Sequence, residues 1–138
     1  MNSGDPLNLF SRGEKFTRTL AITSELLERY GRLSGDFNPL HVDDQYARGK
    51  GFKSRVAYGN IYGMLLSTLV GMDLGHQEVM LLSERFDFKK PVYIGDTIQL
   101  TATVVAISVS VRVIELNLEF CNVNGEAIAS GKCQVKCL

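Results

Sequence analysis

Hydrophobic and polar positions change period twice along the chain, and each change marks a different kind of element. The stretch KFTRTLAI, Lys15 to Ile22, is short and β-favourable and predicts a first strand. Thr23 or Ser24 then caps a helix with Glu25 in its first turn, Leu26, Leu27, Tyr30 and Leu33 on one face, and Gly35 at its end. A polar loop with Pro39 and a short helical turn around Asp43–Arg48 follow. From Gly59 to Met72 the apolar residues Ile61, Met64, Leu65, Leu66, Leu69 and Val70 fall on all faces, the pattern of a helix wrapped by the rest of its protein.

After Gly75 the period becomes that of strands. Glu78–Lys90 holds VMLL and then F-D-F, Pro91 marks a strand end or bulge, and Ile94-Gly95-Asp96 reads as a turn. Ile98, Leu100, Ala102, Val104 and Ala106 share one face of the next strand. Val109, Val111 and Val113 take the odd phase, then Ile114, Leu116, Leu118 and Phe120 the even one, a slip that predicts a β-bulge inside one long strand. Asn124-Gly125 predicts a type I′ hairpin, and the last strand places Ala127, Ala129, Gly131, Cys133, Val135 and Cys137 on one face. The whole predicts an α+β domain in which a strongly curved antiparallel sheet curls around an apolar helix. Residues 1–14 read as an N-terminal arm and residues 15–138 as one domain.

Composition narrows the function classes. Fifteen Lys+Arg balance 15 Asp+Glu, so the formal charge is zero and gives no electrostatic grip on nucleic acid or an anionic membrane. Hydrophobic residues make up 45% and charged residues 22%, values of a folded domain whose core needs no staples. The longest uncharged stretch, Val56–Met72, is too short and too polar for a membrane span of about 20 apolar residues. The N-terminal MNSGDPLNLFSRGEK has no apolar core segment, which predicts no signal peptide. Cys133 and Cys137 on one strand would stand ~13 Å apart, too far for a disulfide. Reduced thiols in a cytoplasmic protein are expected.

Acid–base chemistry by imidazole rests on His41 or His76. His76, in GHQE between the apolar helix and the next strand, reads as a solvated loop residue. His41 closes the run Gly35-Asp36-Phe37-Asn38-Pro39-Leu40-His41, which gathers a carboxylate, a carboxamide and an imidazole on a loop held by Gly and Pro. The residue before proline is pushed toward extended geometry, so Asn38-Pro39 fixes a bend that can bring Asp36 and His41 together. Two readings stand side by side. Asp36 and His41 share one water as an acid–base pair, or Asp36 and Asn38 make ordinary Asx-turns beside a half-buried His41. A third reading makes His41, Asp43 and Asp44 metal ligands, but no further His or Cys completes a closed site. Gly59, at the start of the apolar helix, offers an unsatisfied amide backed by the helix dipole, or simply permits a tight turn. Ser67 reads as a buried helix serine bonded to its own backbone, and Arg48, Lys50, Lys53 and Arg55 as a solvated basic loop or a landing site for phosphates.

The motifs resemble a known family. LSGDFNPLHVDDQYA is similar to the hydratase signature of the MaoC-like, (R)-specific enoyl-CoA hydratases, in which Gly-Asp-x-Asn-Pro-x-His carries the catalytic pair. VAYGNIYGMLLSTLVGM resembles that family's central-helix entry, and FDFKKPVYIGDTI its strand–Pro–turn–strand element, so the likeness runs from about Phe16 to the C-terminus. The resemblance implies a hotdog fold, reversible hydration of a trans-2-enoyl-CoA to the (R)-3-hydroxyacyl-CoA, no metal and no cofactor beyond the coenzyme A of the substrate. It implies Asp36 and His41 as the water-activating pair, Gly59 as the amide that polarises the thioester carbonyl, and Asn38 and Ser67 as supporting residues. A homodimer that builds its substrate tunnel near the interface is implied as well. The chain departs from the family at Tyr58, where a histidine usually precedes the glycine, and this bears on the acyl pocket. Three alternatives remain: a dehydratase acting on acyl-carrier-protein substrates, a hotdog thioesterase, and a non-catalytic thioester-binding module. A thioesterase usually has a carboxylate on or beside the long helix, and Gly59–Met72 holds no Asp or Glu.

Overall fold

The computed structural model describes residues 5–138. Strands β1 (Lys15–Ala21), β2 (Val79–Phe88), β3 (Thr97–Ser108), β4 (Val113–Cys121) and β5 (Ala127–Cys137) pair antiparallel in one sheet of order β1-β3-β4-β5-β2. The even-numbered face of β3 as far as Val104 and of β4 is buried: Ile98, Leu100, Ala102 and Val104, then Ile114, Leu116, Leu118 and Phe120. Period-2 alternation is what puts all of these on one side of the pleat. They pack against Ile61, Tyr62, Leu65 and Leu66 of the helix α4 (Ile61–Thr68) in a single core. The remaining α-helices among the described residues are α1 (Ser24–Ser34), α2 (Pro39–Val42) and α3 (Asp44–Gly49), all in the connection between β1 and α4, and a 3-10 turn over Pro6–Leu9 precedes β1. Thr23 caps α1 through its side chain, and Gly35 ends it in the left-handed conformation.

Four local expectations are revised by the coordinates. The apolar segment is α-helical only over Ile61–Thr68 and continues as a π-helical turn over Leu69–Asp73, held to β1 by an Arg18 Nε–Asp73 Oδ2 ion pair of 2.5 Å. A strip of Asn60, Met64, Ser67 and Gly71 on that helix stays exposed, so one chain does not wrap it on all sides. The valines that shift phase do not lie in one bulged strand. Val109–Arg112 is a turn between β3 and β4, with Val109 and Val111 exposed, and the bulge sits earlier, between Val104 and Ala106. The Asn124-Gly125 hairpin is also not type I′, since among the described residues only Arg112 is a non-glycine with positive φ. Gly125 N–H donates to Asn122 C=O and Asn122 N–H to Glu126 C=O. That is the longer loop in which a type I turn is followed by a left-handed glycine.

Residues 1–4 of the expected arm 1–14 lie outside the described residues; the remainder packs on the domain. Leu7 and Phe10 are buried members of the core. Arg112 fastens Asp5, with Nη1 donating to Asp5 Oδ2 (3.2 Å) while Nε and Nη2 donate to the carbonyls of Cys137 (3.2 Å) and Leu138 (2.9 Å). Cys121, Cys133 and Cys137 are unpaired. Burial pushes the Cys133 thiol up to about 12, which keeps it protonated and inert.

Candidate active site

The chain leaves α1 through Gly35 and enters a loop built from consecutive side-chain-to-backbone hydrogen bonds. Asp36 Oδ1 accepts from Asn38 N–H (3.0 Å), and Asn38 Oδ1 accepts from Leu40 N–H (2.9 Å), so these two residues form the Asx-turns that one of the sequence readings foresees. Asn38 keeps out of the helical region (φ −54°, ψ 129°), as the following proline favours, and Pro39 starts α2 with its missing N–H where none is needed. The loop thereby converts into a helix whose last turn carries His41.

His41 is half-buried, and its Nδ1 lies 2.7 Å from the Val56 carbonyl oxygen. A carbonyl only accepts, so Nδ1 carries the proton, and in the neutral ring the lone pair is on Nε2. Val56 is itself strapped down, because its N–H donates to Leu40 C=O (2.9 Å) while Ala57 N–H donates to Val92 C=O (2.8 Å). That strap delivers Tyr58 beside the imidazole, with Gly59 next in the chain. The Tyr58 ring stacks on His41 with centroids 4.2 Å apart and lies tilted against Tyr30 at 4.5 Å, and its Oη donates to the Asp36 carbonyl at 2.7 Å. Burial and then the nearby Asp36 charge raise the Tyr58 phenol above its ordinary value, so it stays a neutral donor.

Gly59 stands one residue ahead of the Asn60 N-cap rather than inside α4. Among the described residues nothing accepts from its N–H, while its carbonyl takes Tyr62 N–H. A Cβ at this position would come within 3.2 Å of the Phe88 ring, so glycine is what lets that ring close over the backbone. Two pockets flank the Val56–Ala57 strap. One, of about 340 Å³, is bounded by Leu27, Phe37, His41, Val42, Arg55 and Tyr58. The other, of about 310 Å³, is bounded by residues that include Phe52, Val56, Tyr62, Phe88, Lys90 and Val92.

The structure therefore brings together His41, Tyr58, the backbone of Asp36 and, through its neighbour, Gly59. It does not join every expected partner. The Asp36 side chain is exposed and does not line the pocket that His41 lines. Ser67 is exposed on α4, neither buried nor bonded to its own backbone, and makes no hydrogen bond to Asp36 or Asn38 among the described residues. Asp43 and Asp44 serve the backbone, accepting from Tyr46 N–H (3.0 Å) and Arg55 N–H (2.9 Å), and no group of metal-binding side chains forms among the described residues. In the basic loop, Lys50 lies over Tyr46 and Lys53 over Tyr93, while Arg55 faces the His41 pocket. His76 is not freely solvated, because its side chain is 14% exposed and its Nδ1 accepts from Glu78 N–H. The sequence singles out Tyr58 as a departure bearing on the acyl pocket, but not its contacts to His41 and Asp36, and it does not single out Phe88.

A family model of the MaoC like domain matches residues 8–119, a span that includes every element from β1 to most of β4. The chain belongs to the MaoC-like family. This MaoC-like chain is 28% identical over 123 residues to the (R)-specific enoyl-CoA hydratase of Rhodospirillum rubrum, covering 89% of this chain and 85% of that protein. It is 31% identical over 90 residues to a mitochondrial 3-hydroxyacyl-(acyl-carrier-protein) dehydratase of Arabidopsis thaliana, covering 65% of this chain and 53% of that protein. Among solved structures, the (R)-hydratase of Aeromonas caviae involved in PHA biosynthesis superposes with a TM-score of 0.87 at 26% identity, over 94% of this chain and 98% of that one. The MaoC-like domain is a single hotdog: one curved antiparallel sheet packed on one central helix.

Proposed function

We propose that this MaoC-like chain is a hydro-lyase that adds water reversibly to a trans-2-enoyl-CoA, giving the (R)-3-hydroxyacyl-CoA. The observation that carries the reading is the tautomer of His41. Its Nδ1–H is committed to Val56, which leaves Nε2 as a base on a ring stacked on Tyr58, the residue that also holds the Asp36 carbonyl and precedes Gly59 in the chain. Asp36, with one carboxylate oxygen engaged by Asn38 N–H, offers the other to orient the water. Nε2 takes a proton as the water oxygen bonds to C3, electron density moves through C2 to the thioester oxygen, and the Gly59 N–H stabilises that developing charge. The imidazolium then delivers the proton to C2, so atoms and charge balance with no cofactor beyond the substrate's coenzyme A. Asn38 supports the pair by shaping the turn, and Ser67 by facing the water from α4 once the exposed strip of that helix is covered.

A homodimer fits the same reading. The exposed strip on α4 and the open edge strand β2, with Met80 and Leu82 exposed, leave an apolar border on one chain. Unpaired cysteines are in keeping with a reducing, cytoplasmic setting. A carrier-protein thioester is the alternative substrate, favoured by the likeness to the Arabidopsis thaliana dehydratase. Thioester hydrolysis gains one supporting observation, because Glu84 of β2 places a carboxylate oxygen beside Gly63 of α4.

The test is loss of enoyl absorbance with crotonyl-CoA and longer enoyl-CoAs, together with a thiol reagent and a carrier-protein substrate. Hydration without thiol release is expected, and Asp36→Asn or His41→Ala should each lower turnover by about 10²- to 10⁴-fold while the fold persists. Full activity in either variant removes the assignment. Thiol release transfers it to hydrolysis, and binding without turnover to a non-catalytic module.

A further inference from the structure

We propose that Tyr58 is a positioning residue that locks the Asp36 loop and the His41 imidazole in one register with the Gly59 amide; this rests on the hydration reading above. Within 35–38 the other hydrogen bonds are local. Gly35 N–H returns to Gly31, Asp36 N–H to Ser34 Oγ and Asn38 N–H to Asp36. Among the described residues, the Tyr58 Oη–Asp36 C=O bond of 2.7 Å is the one hydrogen bond that ties this stretch to a distant part of the chain, 22 residues away. The same ring is 3% exposed and stacks on the imidazole, so it bears on both members of the pair at once. Its peptide bond leads directly into the Gly59 N–H, so moving Tyr58 moves the amide as well.

The space for the hydroxyl is supplied by α1. A Cβ at Gly31 would stand 2.8 Å from Tyr58 Oη and 3.6 Å from the Asp36 carbonyl. Glycine in a helix is a poor former, yet here its missing side chain is what admits the hydroxyl. Tyr58 is neither a proton carrier nor a carbonyl ligand in this arrangement. It sets where those groups stand, and displacements of about 1 Å in such sites can cost as much as 100-fold in rate.

Two variants separate positioning from bulk stability. Tyr58→Phe keeps the stack and removes the tether, while Gly31→Ala leaves Tyr58 chemically intact but expels its hydroxyl and improves the helix. Both should lower kcat for crotonyl-CoA roughly tenfold or more with KM held within about twofold, and Gly31→Ala should do so without any fall in helix content. A purely structural role lowers the folded fraction and leaves kcat per folded molecule at the wild-type value, which overturns the proposal. A second readout needs no turnover. The His41 ring protons carry an upfield ring-current shift from Tyr58 in NMR, expected to survive in Tyr58→Phe with broadened Asp36 and Phe37 amides, and to vanish in Tyr58→Leu. If the wild-type chain leaves crotonyl-CoA unchanged, the hydration reading fails. The spectra still decide positioning: Asp36 and Phe37 amides identical in wild type, Tyr58→Phe and Gly31→Ala overturn it.

Discussion

Tyr62 carries the one buried side-chain polar atom without a hydrogen-bond partner among the described residues, its Oη, on a residue only 5% exposed. A hydroxyl taken from water and left unbonded costs about 1–3 kcal/mol. Tyr62→Phe removes that cost and keeps the ring contacts with Phe120, edge-on at 4.8 Å, and with Phe88 at 5.3 Å. The variant should therefore be more stable at pH 7 by about 1 kcal/mol, a rise in melting temperature of roughly 3–5 °C for a chain of this length. Alkaline pH adds a second signature. Burial, with the Asp96 charge as the smaller cause, pushes the phenol up to about 12. A group whose folded pKa is raised stabilises the fold fully below its unfolded pKa of about 10 and loses that contribution as pH climbs toward the folded value. Wild type should lose stability through this window and Tyr62→Phe should not lose that share, so the gap between them widens above pH 10. Urea or thermal melts at pH 7 and from pH 9 to 12 measure both effects. A variant less stable at pH 7, or a gap constant to pH 12, refutes the reasoning and means that the hydroxyl is bonded.

Gly131→Ala should break the register of β5 with β2, since its Cβ would overlap the Arg85 carbonyl oxygen and also crowd Phe86 at 3.2 Å. A loss of about 3 kcal/mol or more is expected in denaturant melts, and wild-type stability contradicts the close strand approach. By size exclusion and light scattering the native protein should have twice the 15.3 kDa chain mass, and Leu82→Lys, on the open edge, should yield monomers. A monomeric wild type removes the proposed pairing.

The sheet was legible because one-sided burial in β3 up to Val104, in β4 and in β5 from Ala129 writes itself as alternation, although Ala127, expected on the inner face, is exposed, and Gly35 and Thr23 announce the ends of α1 by conformational need. Where two phases met at Val109–Val113, periodicity alone could not separate a bulge from a tight turn, because the turn is made of β-branched residues and closes on a left-handed Arg112 that no turn rule favours. Asp36, Asn38, His41 and Gly59 stood out through their spacing. The roles of Tyr58 and Phe88 did not, since an aromatic side chain's partners are set by contacts across the fold, here 22 residues away for the Tyr58 hydroxyl. The exposed strip of α4 was misread as buried because apolar residues spread round a helix do not say how much of each face one chain covers.

Arg112 has a consequence for the polypeptide as a whole. One guanidinium reaches Asp5 and the carbonyl of Leu138 together, so the beginning and the end of the described chain meet at a single side chain. Residues 5–138 thus trace nearly a closed loop. Its linear order becomes a matter of where the ring happens to be cut, and a short link from 138 to 5 with a new opening at the exposed Val123–Gly125 tip should leave the same packing intact.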